Sequence, residues 1–246
     1  MNGQSARTAI VTGAARRVGA AIAEALVSDG WTVVAHVHHD SDDVPKGALK
    51  IVGDLADPQS AARIIAAVDG QAPLRLLVNN AARFAWDGPG EFNASEFDAH
   101  MAVNLRAPVA LADAFAAKQD GEADSLIVNL LDSKVAAPNP DYLSYTLSKM
   151  ALADWTRLAA RAFASRRVRV NGVAPALILQ SSGQSAENYR AMHHHNPLGR
   201  GIVPADVIAA LRYLIDAPTV TGQVLILDSG QHFMALDRDV QFLGDG

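Results

Sequence analysis

The chain has no cysteine. That excludes disulfides, thiolate metal sites and cysteine nucleophiles, and it fits a reducing compartment. Basic tracts are also missing: Lys and Arg are scattered and the net charge is −5, so the footprint of a nucleic-acid-binding protein is lacking. No stretch approaches the about 18 unbroken apolar residues that a membrane helix needs. The first eight residues, MNGQSART, carry one charge and no apolar run, unlike a signal peptide. The chain reads as soluble and cytoplasmic, with no nucleic-acid or membrane partner. There is no repeat of solenoid period and no linker rich in Gly, Ser or Pro. One domain of 246 residues can bury a full core without staples.

What is present is an alternation of short β-branched runs with longer Ala-rich segments. Strands are predicted at 9–11, 32–36, 49–52, 74–78, 126–131, 168–173 and 224–227. Helices are predicted at 17–29, closed by Gly30, at 57–68, at 95–118 with a break near Pro108, at 142–164 and at 204–216. Such alternation implies an α/β fold: a doubly wound parallel sheet of about seven strands, with helices on both faces. The stretch from Pro175 to Val203 is too long for an ordinary connection and reads as a functional loop, so a substrate loop is expected near 176–203.

Gly13 and Gly19 lie between the first strand and the first helix, in TAIVTGAARRVGAAIAEAL. A tight turn there aims backbone N–H groups and a helix N-terminus at a pyrophosphate. An acid at the end of the second strand would bind a ribose 2′-hydroxyl and repel a 2′-phosphate. That strand ends His36-Val37-His38-His39-Asp40-Ser41, with no acid at the usual place. Arg16, His38, His39 and Ser41 could together hold a phosphate, so NADPH is the expected cofactor. Asp40 runs against this unless it faces solvent. Tyr145 and Lys149 are four apart and share one helix face. A tyrosine ionises near about 10. A neighbouring ammonium favours the phenolate and lowers that value, which makes the phenol a usable proton donor. His193-His194-His195 cannot all face one metal on a regular element. They read as part of the substrate-loop region, and no metal is expected.

Taken together, these residues resemble the short-chain dehydrogenase/reductase family, from Thr8 to about Phe233. The family's Thr-Gly-x-x-x-Gly-x-Gly is similar to Thr12-Gly13-Ala14-Ala15-Arg16-Arg17-Val18-Gly19, with Arg17 in place of the middle glycine. Arg at that site resembles the pteridine reductases and the bacterial dihydromonapterin/dihydrofolate reductases. The same branch places Asp, where ordinary members have Ser, thirteen residues before the tyrosine; here that residue is Asp132, followed by Ser133. Phe84, four residues after Asn80, matches an aromatic that this branch stacks on the pterin. Stacking of that kind contributes roughly 1–3 kcal/mol by analogy with base–aromatic contacts. Tyr142 could line the same pocket or simply start the helix.

The resemblance implies further roles. Asp54-Leu55 would contact adenine, though a helix cap is an equal reading. Asn79-Asn80-Ala81 would support the sheet and border the cofactor. Asn104 would hold a water in the proton path. Pro175 would lie where the backbone meets the nicotinamide. Arg17 would hold phosphates and substrate, Asp132 would bind ring nitrogens, Lys149 would fix the ribose, and the proton would come from Tyr145 or from water. The implied activity is hydride transfer from NADPH to a C=N bond of a dihydropterin or dihydrofolate, in a homotetramer. Two rivals stay open. One is a carbonyl reductase of the same family, acting on a 3-oxoacyl thioester with Ser133 facing the substrate. The other is a non-catalytic NADP-binding sensor.

Overall fold

The computed structural model describes residues 6–181 and 183–243. Residues 1–5, on which the signal-peptide reading partly rests, lie outside the described residues, as do the last three of the expected single domain. Seven parallel strands form one sheet: β1 (Thr8–Val11), β2 (Thr32–Val37), β3 (Leu49–Val52), β4 (Leu74–Asn79), β5 (Ser125–Leu130), β6 (Val168–Pro175) and β7 (Val224–Leu227). Their order is β3-β2-β1-β4-β5-β6-β7. The chain winds outward from β1 in one direction, then restarts at β4 in the other. That reversal opens a crevice beyond the carboxyl ends of β1 and β4, where ligands bind in sheets of this kind.

The apolar runs dictate this arrangement. Every residue of β1 and β5 is buried, as expected of strands covered on both faces. On one face, α1 (Arg17–Ser28) presents Ile22, Ala23 and Leu26 to the sheet. The helix Pro204–Asp216 packs beside it with Val207, Leu211 and Leu214. On the other face, α2 (Ser60–Ala66) contributes Ile64 and Ile65, and the helix Ala107–Ala117 contributes Leu111 and Phe115. Fully buried side chains of this size stabilise by roughly 1.5–3 kcal/mol each.

Two expectations are corrected and one is refined. First, α2 starts at Ser60 rather than Asp57. The Asp57 carboxylate instead accepts the Gln59 N–H at 2.9 Å and closes a turn ahead of the helix. Second, the break expected near Pro108 in the predicted 95–118 helix takes the form of a wide π turn just ahead of the proline: α3 (Ala94–Met101), the π turn (Ala102–Arg106) and α4 (Ala107–Ala117). Pro108 occupies the first turn of α4, where its missing N–H costs little, and the π turn takes up the change in hydrogen bonding. Third, after α5 (Leu143–Ala162) the stretch beyond Pro175 is not loop throughout. It holds α6 (Ala186–His193), capped by the Ser185 hydroxyl on the Asn188 N–H at 3.0 Å. Finally, α7 (Pro204–Asp216) leads to β7. Among the described residues no helix is long and apolar enough to cross a membrane.

Candidate active site

The crevice is a cleft of about 1020 Å³ that runs past the ends of β1, β2, β4, β5 and β6. At one end the chain turns tightly between β1 and α1. Gly13 takes φ +66°, and a Cβ on Gly19 would overlap the Gly13 carbonyl oxygen, so only glycine allows the turn to close on itself. The Asn80 carboxamide donates to the carbonyls of Thr12 at 2.8 Å and Gly13 at 3.2 Å. The Thr12 hydroxyl accepts the N–H groups of Asn80 and Ala81, both at 3.0 Å. Buried His36, which the sequence reading left without a role, accepts the Gly13 N–H at 3.3 Å through Nδ1 and contacts the Gly53 carbonyl through Nε2. Burial holds its pKa below the ordinary histidine value.

Arg16, Val18, His38, His39, Asp54 and Leu55 line this end. Asp40 does not: its side chain is 96% exposed and pairs with Lys50. Asp42 does line it, but its carboxylate accepts the His39 N–H at 3.0 Å and is spent on its own turn. Ser41 is exposed and lies off the cleft wall, which corrects its expected place in a phosphate pocket. Asp54 accepts the Ala56 N–H at 2.8 Å and so closes a turn after β3; it caps no helix, because α2 begins only at Ser60 and takes no side-chain cap. Arg17 sits at φ +55°, the left-handed backbone that favours glycine. Its guanidinium lines the cleft but donates to the carbonyls of Leu179 and Gln180 at 3.3–3.4 Å. It thereby clips the segment after β6 at the edge of the glycine turn.

At the other end, α5 carries Tyr145 and Lys149, both buried. The Tyr145 hydroxyl donates to Asp132 Oδ2 at 3.1 Å. Asp132 Oδ1 accepts the Lys134 N–H at 2.9 Å, which fixes the carboxylate at the end of β5. Lys149 Nζ donates to the Leu130 carbonyl at 2.6 Å. The phenol shifts in the direction opposite to the expected acidification by the lysine. Burial, then the Asp132 carboxylate, pushes Tyr145 well above its usual value. Burial also raises Asp132 and lowers Lys149 to about 8. Burial disfavours the charged form of each group, and the carboxyl beside the phenol adds to the upward shift of Tyr145.

Phe84 lines the cleft and is 44% exposed. Its ring stacks on Tyr142 at 4.2 Å and meets Tyr145 edge-on at 4.8 Å. Tyr142 is buried behind it, off the cleft wall, and its hydroxyl donates to Gln241 at 2.7 Å. So Tyr142 both starts α5 and backs the aromatic wall. The Asn104 carboxamide accepts the Arg83 N–H at 2.7 Å and donates to the Arg83 carbonyl and the Ser148 hydroxyl, both at 3.0 Å. It ties the segment after β4 to α5. Pro175 lines the cleft at the end of β6. His193 and His194 contact the carbonyls of Ile202 and Gly199. The sequence reading missed Lys134, Arg238 and Asp239, which line the substrate end.

The family described as enoyl-(acyl carrier protein) reductase matches residues 13–232. Pteridine reductase 1 of Leishmania tarentolae is 29% identical over 92% of this chain and 96% of its own. L-xylulose reductase of Bos taurus is 29% identical over 91% and 96%. The crystal structure of FolM alternative dihydrofolate reductase 1 from Brucella suis, in complex with NADP, superposes with a TM-score of 0.83 at 35% identity, covering 92% of this chain and 95% of that one. With a seven-stranded parallel sheet, a glycine turn at its switch point and a buried Tyr-Lys pair on α5, this chain belongs to the short-chain dehydrogenase/reductase family.

Proposed function

We propose that the chain is an NADPH-dependent reductase that passes a hydride to a C=N bond of a dihydropterin or dihydrofolate. One observation carries the reading: the catalytic phenol hydrogen-bonds a carboxyl group, Asp132, and not Ser133. A ketone oxygen offers lone pairs and wants a donor beside it. A carboxylate instead matches ring and exocyclic N–H groups, which an amino-pterin presents.

The phosphate end suits a phosphorylated dinucleotide, because Arg16, His38 and His39 face the cleft there while Asp40 is turned to solvent; the Asp42 carboxylate, ionised at the same end, is an opposing charge. Gly13, Val18, Gly19, Asn80 and Ala81 would hold the pyrophosphate turn, with Arg17 at its edge. Asp54 and Leu55 would lie by adenine, and Lys149 and Pro175 by the nicotinamide riboside. Bound NADPH supplies the hydride. Phe84 orients the flat ring from one side. Raised above the ordinary carboxyl value, Asp132 retains a proton nearer to neutral pH and can exchange it with a ring nitrogen. The one proton that accompanies the hydride reaches the ring nitrogen from Asp132, which is reprotonated through the Tyr145 hydroxyl bonded to it or by water. Asn104 holds the segment carrying Arg83 and Phe84 against α5.

The same reading takes the whole chain as one domain with the substrate loop at 176–203, cytoplasmic, and assembled as a homotetramer through the helices bearing Asn104 and Tyr145. NADPH oxidation with 7,8-dihydropterin, dihydrofolate and a 3-oxoacyl thioester tests it. Turnover is expected with a pterin, and NADPH should bind at least about tenfold tighter than NADH, about 1.4 kcal/mol. No turnover of any pterin, or equal affinity for the two dinucleotides, refutes it.

A further inference from the structure

The last described residues do not trail away from the site. Arg238, Asp239 and Val240 line the cleft at its substrate end. This segment is tied down at several points. Arg238 donates to both carboxylate oxygens of buried Asp141 at 3.0 and 2.8 Å, and the Asp239 N–H bonds the same carboxylate at 2.7 Å. Gln241 accepts from Tyr142. The Phe242 ring packs against Trp86 at 5.1 Å and Tyr142 at 6.1 Å. The Leu243 carbonyl accepts from Asn188 of α6 at 2.7 Å. One short strap thus joins the start of α5, the aromatic wall and the helix of the substrate loop.

Lys134 is the link inward. Its side chain is buried, and its ammonium donates to the Asp141 carbonyl at 2.6 Å and to Asp239 Oδ2 at 3.3 Å. Its backbone N–H holds Asp132 Oδ1. A buried ammonium needs counter-charge, and removing its ion-pair partner leaves it with only the more distant fields of Asp132 and Asp141, so the local structure relaxes to hydrate it. Asp239 is the carboxylate paired with this ammonium; Asp141 contributes its carbonyl there and spends its carboxylate on the strap. Relaxation of Lys134 would move the N–H that aims Asp132.

We propose that the C-terminal strap is part of the substrate-binding wall, and that Asp239, acting through Lys134, is a positioning residue for Asp132. The substrate half of this inference rests on the pterin reading above; the positioning half does not. The strap also braces the aromatic wall: Phe84 is backed by Tyr142, and Tyr142 is held by Gln241 and Phe242.

The test compares wild type, Asp239→Asn and Asp239→Glu as full-length enzymes. In Asp239→Asn the KM for 7,8-dihydropterin should rise about tenfold or more, with kcat changing less than about threefold. NADPH affinity should stay within about twofold, and Asp239→Glu should recover most of the loss. Hydrogen exchange across 132–142 should quicken about tenfold in Asp239→Asn while β1 and β4 keep their protection. Unchanged exchange and KM overturn the proposal. So does a parallel loss of NADPH affinity and kcat, which would report general damage. If wild type reduces no pterin, the functional reading falls, and exchange across 132–142 alone decides the positioning role.

Discussion

At the scale of the residue, burial sets the chemistry. Lys149 is 2% exposed and titrates near 8. Its unfolded value is near 10.5, so at pH 7 both states are protonated and the full cost of a buried ammonium is present. That cost is roughly 3 kcal/mol, as an order of magnitude. Between about 8 and 10.5 the folded state gives up the proton first, and the cost is relieved as pH rises. Lys149→Met should therefore unfold at a higher temperature than wild type at pH 7, with the gap narrowing by pH 9, and lose activity at least about 100-fold. Calorimetry checks the first part, and a lower unfolding temperature at pH 7 would contradict it. The Tyr145–Lys149 spacing was legible because four residues make one helical face. The direction of the Tyr145 shift was not, because spacing says nothing about how dry the site is. The full engagement of Asn104 was hidden for the same reason: its partners, Arg83 and Ser148, are 21 and 44 residues away.

At the scale of the element, the strands were legible because their β-branched runs are short, continuous and bounded by turn residues. The glycine turn was legible too, and Gly19→Ala tests it. The added methyl would meet the Gly13 carbonyl and the Asn80 amide. The variant should lose NADPH binding by at least about 100-fold, about 2.7 kcal/mol, with a lower unfolding temperature. Wild-type affinity in a fluorescence titration would show that the turn has room to spare. The missed helix α6 contains Asn188, His193 and Arg190 among few apolar residues, so its periodicity is faint. It stands because Ser185 caps it and Asn188 is held by the strap. The interruption near Pro108 was legible because a proline removes a helical N–H, and the chain answers with the π turn just before it.

At the scale of the whole molecule, alternation and crossover handedness made the doubly wound parallel sheet legible in the sequence; the strand order came from the structure. Contacts made by the chain's end could not be read from the sequence. Lys134 and Asp239 are 105 residues apart, and no local pattern marks either. The outer face of α5 leaves Leu147, Met150 and Leu158 exposed at 40%, 36% and 68%, which suits packing between copies of the chain. Leu158→Glu should shift the sedimentation of the expected tetramer toward smaller species, and an unchanged profile would remove this helix from the interface. The most direct test of the account compares kcat/KM for 7,8-dihydropterin with kcat/KM for a 3-oxoacyl thioester, in wild type and in Asp132→Ser. The wild-type ratio should favour the pterin, and the substitution should lower that ratio at least about 100-fold, about 2.7 kcal/mol. A ratio that favours the thioester in wild type, or that does not move when the carboxylate is removed, would contradict it.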